Sequence, residues 1–134
     1  MAKLHAAGHE VTNFGVHILN PSDDYPDFVI PLAEAIVAGK VQRSVAICGS
    51  GVSAAACANK VNGVRAGLIH DHFSARQGVE DDHINVMCMS GRTIGPEVAW
   101  DLVQTYLSAE YSQAERHLRR LSKIAALEDL SRRT

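Results

Sequence analysis

Residues 46–53 read Ala46-Ile47-Cys48-Gly49-Ser50-Gly51-Val52-Ser53, an apolar run that breaks at a cysteine into a glycine-serine-glycine turn. Upstream the run starts at Ser44-Val45, and downstream residues 51–60 (GVSAAACANK) are small and Ala-rich, the kind that pack tightly on a sheet. Strand, tight turn and closely packed helix form one unit of an α/β fold. Three more short apolar runs bounded by Gly or polar residues lie at 10–15 (EVTNFG), 64–70 (VRAGLIH) and 85–91 (NVMCMSG). They are near-continuous rather than alternating, as expected of parallel strands covered on both faces. Helical segments are expected around them. Residues 2–8 look like the end of a helix, with Gly8 as its stop. Residues 26–38 follow Asp23 and Asp24 and end at Gly39, with Pro31 expected to kink the helix or delay its start. Residues 95–108 open with Gly95-Pro96-Glu97, and 112–128 carry Leu118, Leu121, Ile124, Ala125 and Leu127 on one stripe. The pattern predicts three layers with right-handed crossovers and about four strands.

At 134 residues the chain has the length of one domain, expected to span 1–134. A composition 46% hydrophobic and 21% charged excludes a disordered chain, a collagen-like fibre and a disulfide scaffold. No apolar run approaches the roughly 18–20 residues of a membrane span. The N-terminus MAKLHAAGHEV lacks a signal-peptide pattern, so a cytoplasmic protein is expected, not a membrane one. Cys48, Cys57 and Cys88 are odd in number with no CxxC spacing, which favours free thiols. The net charge of −2 argues against a nucleic-acid binder. Residues 116–134 nevertheless carry six bases against two acids, leaving seven bases against thirteen acids on residues 1–115. A cationic C-terminal helix on an acidic body suits a solvated face, a dimer contact or an anion site.

Cys48 stands at the carboxyl end of a strand, where open α/β sheets bind ligands. Gly49 and Gly51 open the following helix, whose unpaired N–H groups favour a nearby anion or thiolate. The alternative is a buried cysteine before a tight turn. Cys57, in the Ala-rich helix, and Cys88, within a strand, read as small hydrophobes. His70-Asp71-His72 contains an H-x-H pair that can hold a metal, but two ligands do not make a site, and no third group at ligand spacing stands out. GSGVSA is not the GxGxxG of a dinucleotide site. Arg116 and Arg120, four apart on one helix face, form a fork suited to phosphate, and Arg92 is a further candidate.

Taken together, DYPDF (24–28), ICGSG (47–51), ANKVNGVRA (58–66), FSAR (73–76), NVMCMSGRTIGPEVA (85–99) and RHLRR (116–120) resemble the ribose-5-phosphate isomerase B/galactose-6-phosphate isomerase family, in order, from about residue 10 to 124. The resemblance implies a Rossmann-like fold with five strands in the family. It also implies isomerisation of a phosphorylated sugar of the ribose 5-phosphate/ribulose 5-phosphate type, through a cis-enediolate and without a cofactor. Cys48 takes the position of the base. The backbone N–H groups of Gly49, Ser50, Gly51 and Val52 are the implied oxyanion donors, with Ser53 beside them, and Ser50 keeps the hydroxyl of the family's usual Thr. Asn59 belongs to the ANK motif that helps shape this loop. Arg116 and Arg120 match the phosphate-gripping arginines. The resemblance further implies a homodimer built with the C-terminal helix, its site completed across a two-fold axis. The tail at Arg132 and Arg133 is a candidate contact for a tetramer.

Several positions depart from the family pattern. The family's first strand, with its Asp-His pair, has no counterpart here. Asp81 replaces the histidine that assists ring opening, Asp82 replaces the Asn after it, and His83 falls two positions late. Val52-Ser53 replaces an apolar-Gly pair. Three alternatives follow: the strand at 10–15 shifts by one strand spacing, about 4.8 Å, and pairs directly with 44–49, another chain supplies a strand, or native residues precede Met1; the first two are the favoured expectations. The alternative function is a catalytically silent sugar-phosphate-binding or partner subunit.

Overall fold

The structure, a computed structural model, describes residues 1–132, so the expected tail contact at Arg132 and Arg133 lies outside the described side chains. Three parallel strands, β1 (Ser44–Cys48), β2 (Ala66–Leu68) and β3 (Val86–Ser90), form a sheet in the order β1-β3-β2. Ser44 pairs with Val86 and Cys48 with Ser90, while Ala66 also pairs with Val86. The helices are α1 (Ala2–Ala6), α2 (Pro26–Val37), α3 (Val52–Ala58), α4 (His72–Asp82), α5 (Pro96–Ser108) and α6 (Glu115–Arg132).

All five residues of β3 are buried, and their side chains alternate between two cores. Val86 and Cys88 pack with Val29, Ala33 and Ile36 of α2 and with Ala54 and Ala58 of α3. Met87 and Met89 face the other way, onto Ala75 and Val79 of α4 and Leu102 and Tyr106 of α5. This double covering explains the unbroken apolar reading of 85–91. Each fully buried methionine contributes roughly 1.5–3 kcal/mol. The alanines at the α2–α3 contact let both helices approach the sheet closely.

Residues 10–15 form no strand. A strand needs a ladder, and among the described residues nothing pairs with the outer edge of β1, so the expected direct shift does not occur and the sheet has three strands rather than four. The irregular stretch that follows, bent at Gly15, His17 and Ile18, leaves Val16, Ile18 and Leu19 exposed. Pro31 lies inside α2 without delaying it, because it sits on the exposed side opposite Ala33 and Ile36. The α6 helix starts at Glu115 rather than 112, because Gln113 adopts φ +56°. Beyond its first turn, α6 leaves Leu118, Ile124, Leu127 and Leu130 exposed. Among the described residues no helix is long and apolar enough to cross a membrane.

Candidate active site

Cys48 is half-buried at the carboxyl end of β1, and its Sγ accepts the N–H of Gly51 at 3.1 Å. Gly51 has φ +79° and precedes α3. A Cβ there would lie 2.5 Å from Leu68 Cδ1 and 2.8 Å from the Met89 carbonyl carbon, so only glycine fits the turn. The Ser50 Oγ accepts the Val52 N–H at 3.3 Å. The Gly51 and Val52 amides are therefore already engaged, and the first-turn amides of Ser53 and Ala54 have no carbonyl of α3 behind them. The rest of the turn is tied to the end of β3. Gly91 N–H donates to the Cys48 carbonyl at 2.8 Å, and the Gly49 carbonyl accepts from Ser90 Oγ at 2.7 Å and Arg92 N–H at 3.3 Å. The Arg92 side chain lies over Gly49, its Nε 3.6 Å from where a Cβ would stand. A guanidinium thus covers the turn that holds the sulfur.

Ser90 is the hinge of this arrangement. Its own N–H donates to His70 Nε2 at 3.2 Å, and its Oγ also accepts from Thr93 N–H at 3.1 Å. Neither Ser90 nor His70 stands out in the sequence for this role, since Ser90 reaches the turn through the β1–β3 pairing and His70 reaches Ser90 through the β2–β3 pairing. Of the other thiols, Cys57 is half-buried in α3 and Cys88 is fully buried in β3. Burial, and then the nearby Cys48, pushes the Cys88 thiol up to about 12.

A second group of candidates stands at the opposite edge of the sheet. Helix α4 runs antiparallel to the strands, so Asp81, Asp82 and His83 lie beside the start of β3, whereas Cys48 pairs with Ser90 at its end. The four residue steps from Val86 to Ser90 span roughly 13 Å, which keeps the two groups out of one intrachain pocket. His83 has φ +51° and caps α4, and its ring stacks on Tyr111 with centroids 4.4 Å apart. Arg65 Nε donates to the His83 carbonyl at 2.8 Å. Burial, then the charges of Arg65 and Arg43, lowers the His83 pKa below its ordinary value. Burial also lowers that of Arg65, against the opposing charges of Glu128 and Tyr111. The Glu128 carboxylate accepts the Gly63 N–H at 3.0 and 3.1 Å, which anchors α6 to the loop before β2.

Asp81 accepts from Gln77 Nε2 at 2.7 Å through Oδ2, and its Oδ1 lies 3.4 Å from His117 Nε2. Asp82, Arg116 and Arg120 are exposed. Because α6 turns about 100° per residue, Arg116 and Arg120 fall within about 40° of each other, on one flank of buried His117. Asn59 does not reach the Cys48 turn. Its side chain clamps Ala66 at the start of β2, Oδ1 accepting the N–H at 2.8 Å and Nδ2 donating to the carbonyl at 2.9 Å. Among the described residues no three His, Cys, Asp or Glu side chains are grouped for a metal.

Comparison with known proteins gives concordant results. The profile of the Ribose/Galactose Isomerase family matches residues 1–124. A D-erythrulose-4-phosphate isomerase of Pectobacterium atrosepticum is 37% identical over 108 residues, covering 81% of this chain and 71% of the relative. The ribose-5-phosphate isomerase B of Clostridium thermocellum superposes with a TM-score of 0.92 at 38% identity, covering 97% of this chain and 86% of that one. That of Mycoplasma genitalium, solved with bound ribulose-5-phosphate, gives 0.90 at 31% identity over 96% and 84%.

Proposed function

The chain belongs to the ribose/galactose isomerase family, and we propose that it interconverts an aldose phosphate and a ketose phosphate of the ribose 5-phosphate/ribulose 5-phosphate type with Cys48 as base. The observation that carries this reading is the Cys48 sulfur, half-buried at the end of β1 and bonded to the Gly51 amide, with the Arg92 side chain lying against the adjacent Gly49. A thiolate there takes the proton from the carbon beside the carbonyl, and the electron pair moves onto the carbonyl oxygen as a cis-enediolate. The amides of Gly49 and Ser50, with the first-turn amides at Ser53 and Ala54, are the donors proposed for that oxygen. Transfer of the hydroxyl proton from O2 to O1, and return of the carbon proton to C1 as the C2=O2 carbonyl forms, completes the exchange without a cofactor.

The remaining groups belong to a neighbour's pocket. Asp81, Asp82, His83, Arg116 and Arg120 stand at the far edge of the sheet from their own Cys48, and the exposed apolar stripe of α6 offers a contact for a second copy. A two-fold homodimer would carry the arginines of one protomer to the phosphate held near the other's thiol. Free thiols fit a reducing cytoplasm.

Replacing Cys48 by Ala should lower turnover of ribose 5-phosphate and related sugar phosphates about 10²- to 10⁴-fold. Undiminished turnover in Cys48→Ala would remove the proposed base. Binding of sugar phosphate by the unaltered protein without turnover would identify the silent-subunit alternative. Mixing inactive Cys48→Ala with inactive Arg116→Ala/Arg120→Ala should restore activity in hybrid dimers, and no restoration would refute the shared site.

A further inference from the structure

Helix α6 is exposed along most of its length, yet it buries one polar side chain, His117, to 3% exposure against the end of α4. Each ring nitrogen of this histidine faces a particular group. Nδ1 lies 2.6 Å from Ser112 Oγ, and Nε2 lies 3.4 Å from Asp81 Oδ1. Ser112 Oγ also accepts the Ala114 N–H at 3.3 Å, so its own proton is free to point at Nδ1. With Nδ1 as acceptor, the neutral ring carries its proton on Nε2, directed at Asp81. The second Asp81 oxygen takes the Gln77 amide at 2.7 Å, and the carboxylate remains 31% exposed at the surface.

We infer that His117 is a positioning residue for the isomerisation: held in one tautomer by Ser112, it fixes the Asp81 carboxylate as the proton-accepting group offered to the neighbouring protomer's sugar. The inference rests on the reading that Asp81 completes the partner's pocket. A carboxylate held by the Gln77 amide and flanked by the His117 ring presents its free lone pairs in one direction, and misplacing a reacting group by even 1 Å can lower a rate about a hundredfold. The cluster joins residues from α4, the α5–α6 connection and α6, which is why no local motif announces it.

The role can be separated from simple stabilisation by substrate shape. A five-carbon aldose 5-phosphate closes to a furanose and has to be opened: the O1 hydroxyl proton passes to Asp81, the O1–H electron pair forms the C1=O1 bond, and the C1–O4 bond breaks with O4 taking a proton from solvent. A four-carbon aldose 4-phosphate cannot close a five-membered ring, because its O4 carries the phosphate. His117→Leu should lower kcat with ribose 5-phosphate about tenfold or more, and that with erythrose 4-phosphate less than about threefold. His117→Gln, which keeps a donor near the Nε2 position, should recover most of the loss. Equal losses on both substrates, or no difference between Leu and Gln, would overturn the inference. Asp81→Asn separates the two layers. If it leaves ribose 5-phosphate turnover intact, the reading of Asp81 fails. If it is impaired while His117→Leu is not, only the role of His117 fails. Nitrogen-15 shifts of His117 in the unaltered protein give an answer independent of turnover and of variant folding. They should report the proton on Nε2, and Ser112→Ala should make the tautomers mix. A proton found on Nδ1 would refute the proposed chain.

Discussion

Substituting Gly51 by Ala tests whether the turn geometry holds the candidate site. Two penalties act at this position. The backbone at φ +79° is left-handed, which costs an L-residue roughly 1–2 kcal/mol. The added methyl also meets Leu68 Cδ1 at 2.5 Å and the Met89 backbone at 2.8 and 3.0 Å. The leucine end can swing aside, but β3 is the central strand and its backbone cannot, so the turn has to move outward at a further cost of about 1–3 kcal/mol. The total of roughly 2–5 kcal/mol is a large fraction of the about 5–15 kcal/mol that stabilises a whole domain. The variant's Tm, read by circular dichroism, should fall by about 10 °C or more. Gly39→Ala is the matched control. Gly39 has φ +74° with nothing within 4 Å of its Cβ position, so it shares only the conformational penalty. Gly51→Ala should therefore be less stable than Gly39→Ala and should also lose turnover, since the Gly51 amide is the one bonded to the Cys48 sulfur. Equal Tm values for the two variants, with isomerase activity retained in both, would refute the reasoning.

Other perturbations follow from the same contacts. Asn59→Asp sets a carboxylate oxygen against the Ala66 carbonyl where an amide now donates, and should cost about 1–3 kcal/mol in chemical denaturation; no change would show the clamp to be dispensable. Alkylation by iodoacetamide at pH 8, mapped by mass spectrometry, should leave Cys88 unmodified while Cys48 reacts, because a thiol pushed up to about 12 and fully buried holds almost no thiolate there. Preferential labelling of Cys88 would contradict both statements. His83 has a pKa lowered in the folded state, so the unfolded chain takes up a proton first as the pH falls through the ordinary histidine range near 6.5. Its contribution is therefore intact above that pH and lost below it. His83→Asn, which tolerates the left-handed cap, should show a smaller loss of stability between pH 7 and pH 5 than the unaltered protein; parallel curves would exclude His83 as the source.

Much of the framework is written in local sequence. Short apolar runs without alternation at 44–48 and 86–90 specify strands covered on both sides, because side chains pointing in both directions have to be apolar when both faces are buried. The Gly49-Ser50-Gly51 turn is legible for a related reason, since few residues other than glycine allow a strand to reverse into a helix that closely packed. The fork of Arg116 and Arg120 follows from helical spacing alone. By contrast, EVTNFG at 10–15 has strand-forming residues but no strand, because a ladder depends on a neighbour that only the tertiary arrangement provides. Helix α4 was hidden by its weak apolar pattern, with only Ala75 and Val79 buried, and is started by Asp71, whose side chain accepts the Ser74 N–H at 2.7 Å. The tertiary structure alone decided that Cys48 and Asp81 stand at opposite edges of the sheet. It alone set Arg92 over Gly49 and enclosed His117 between Ser112 and Asp81. Sequence determines which face of an element is apolar; where distant polar side chains meet depends on strand order and on the direction in which each helix returns.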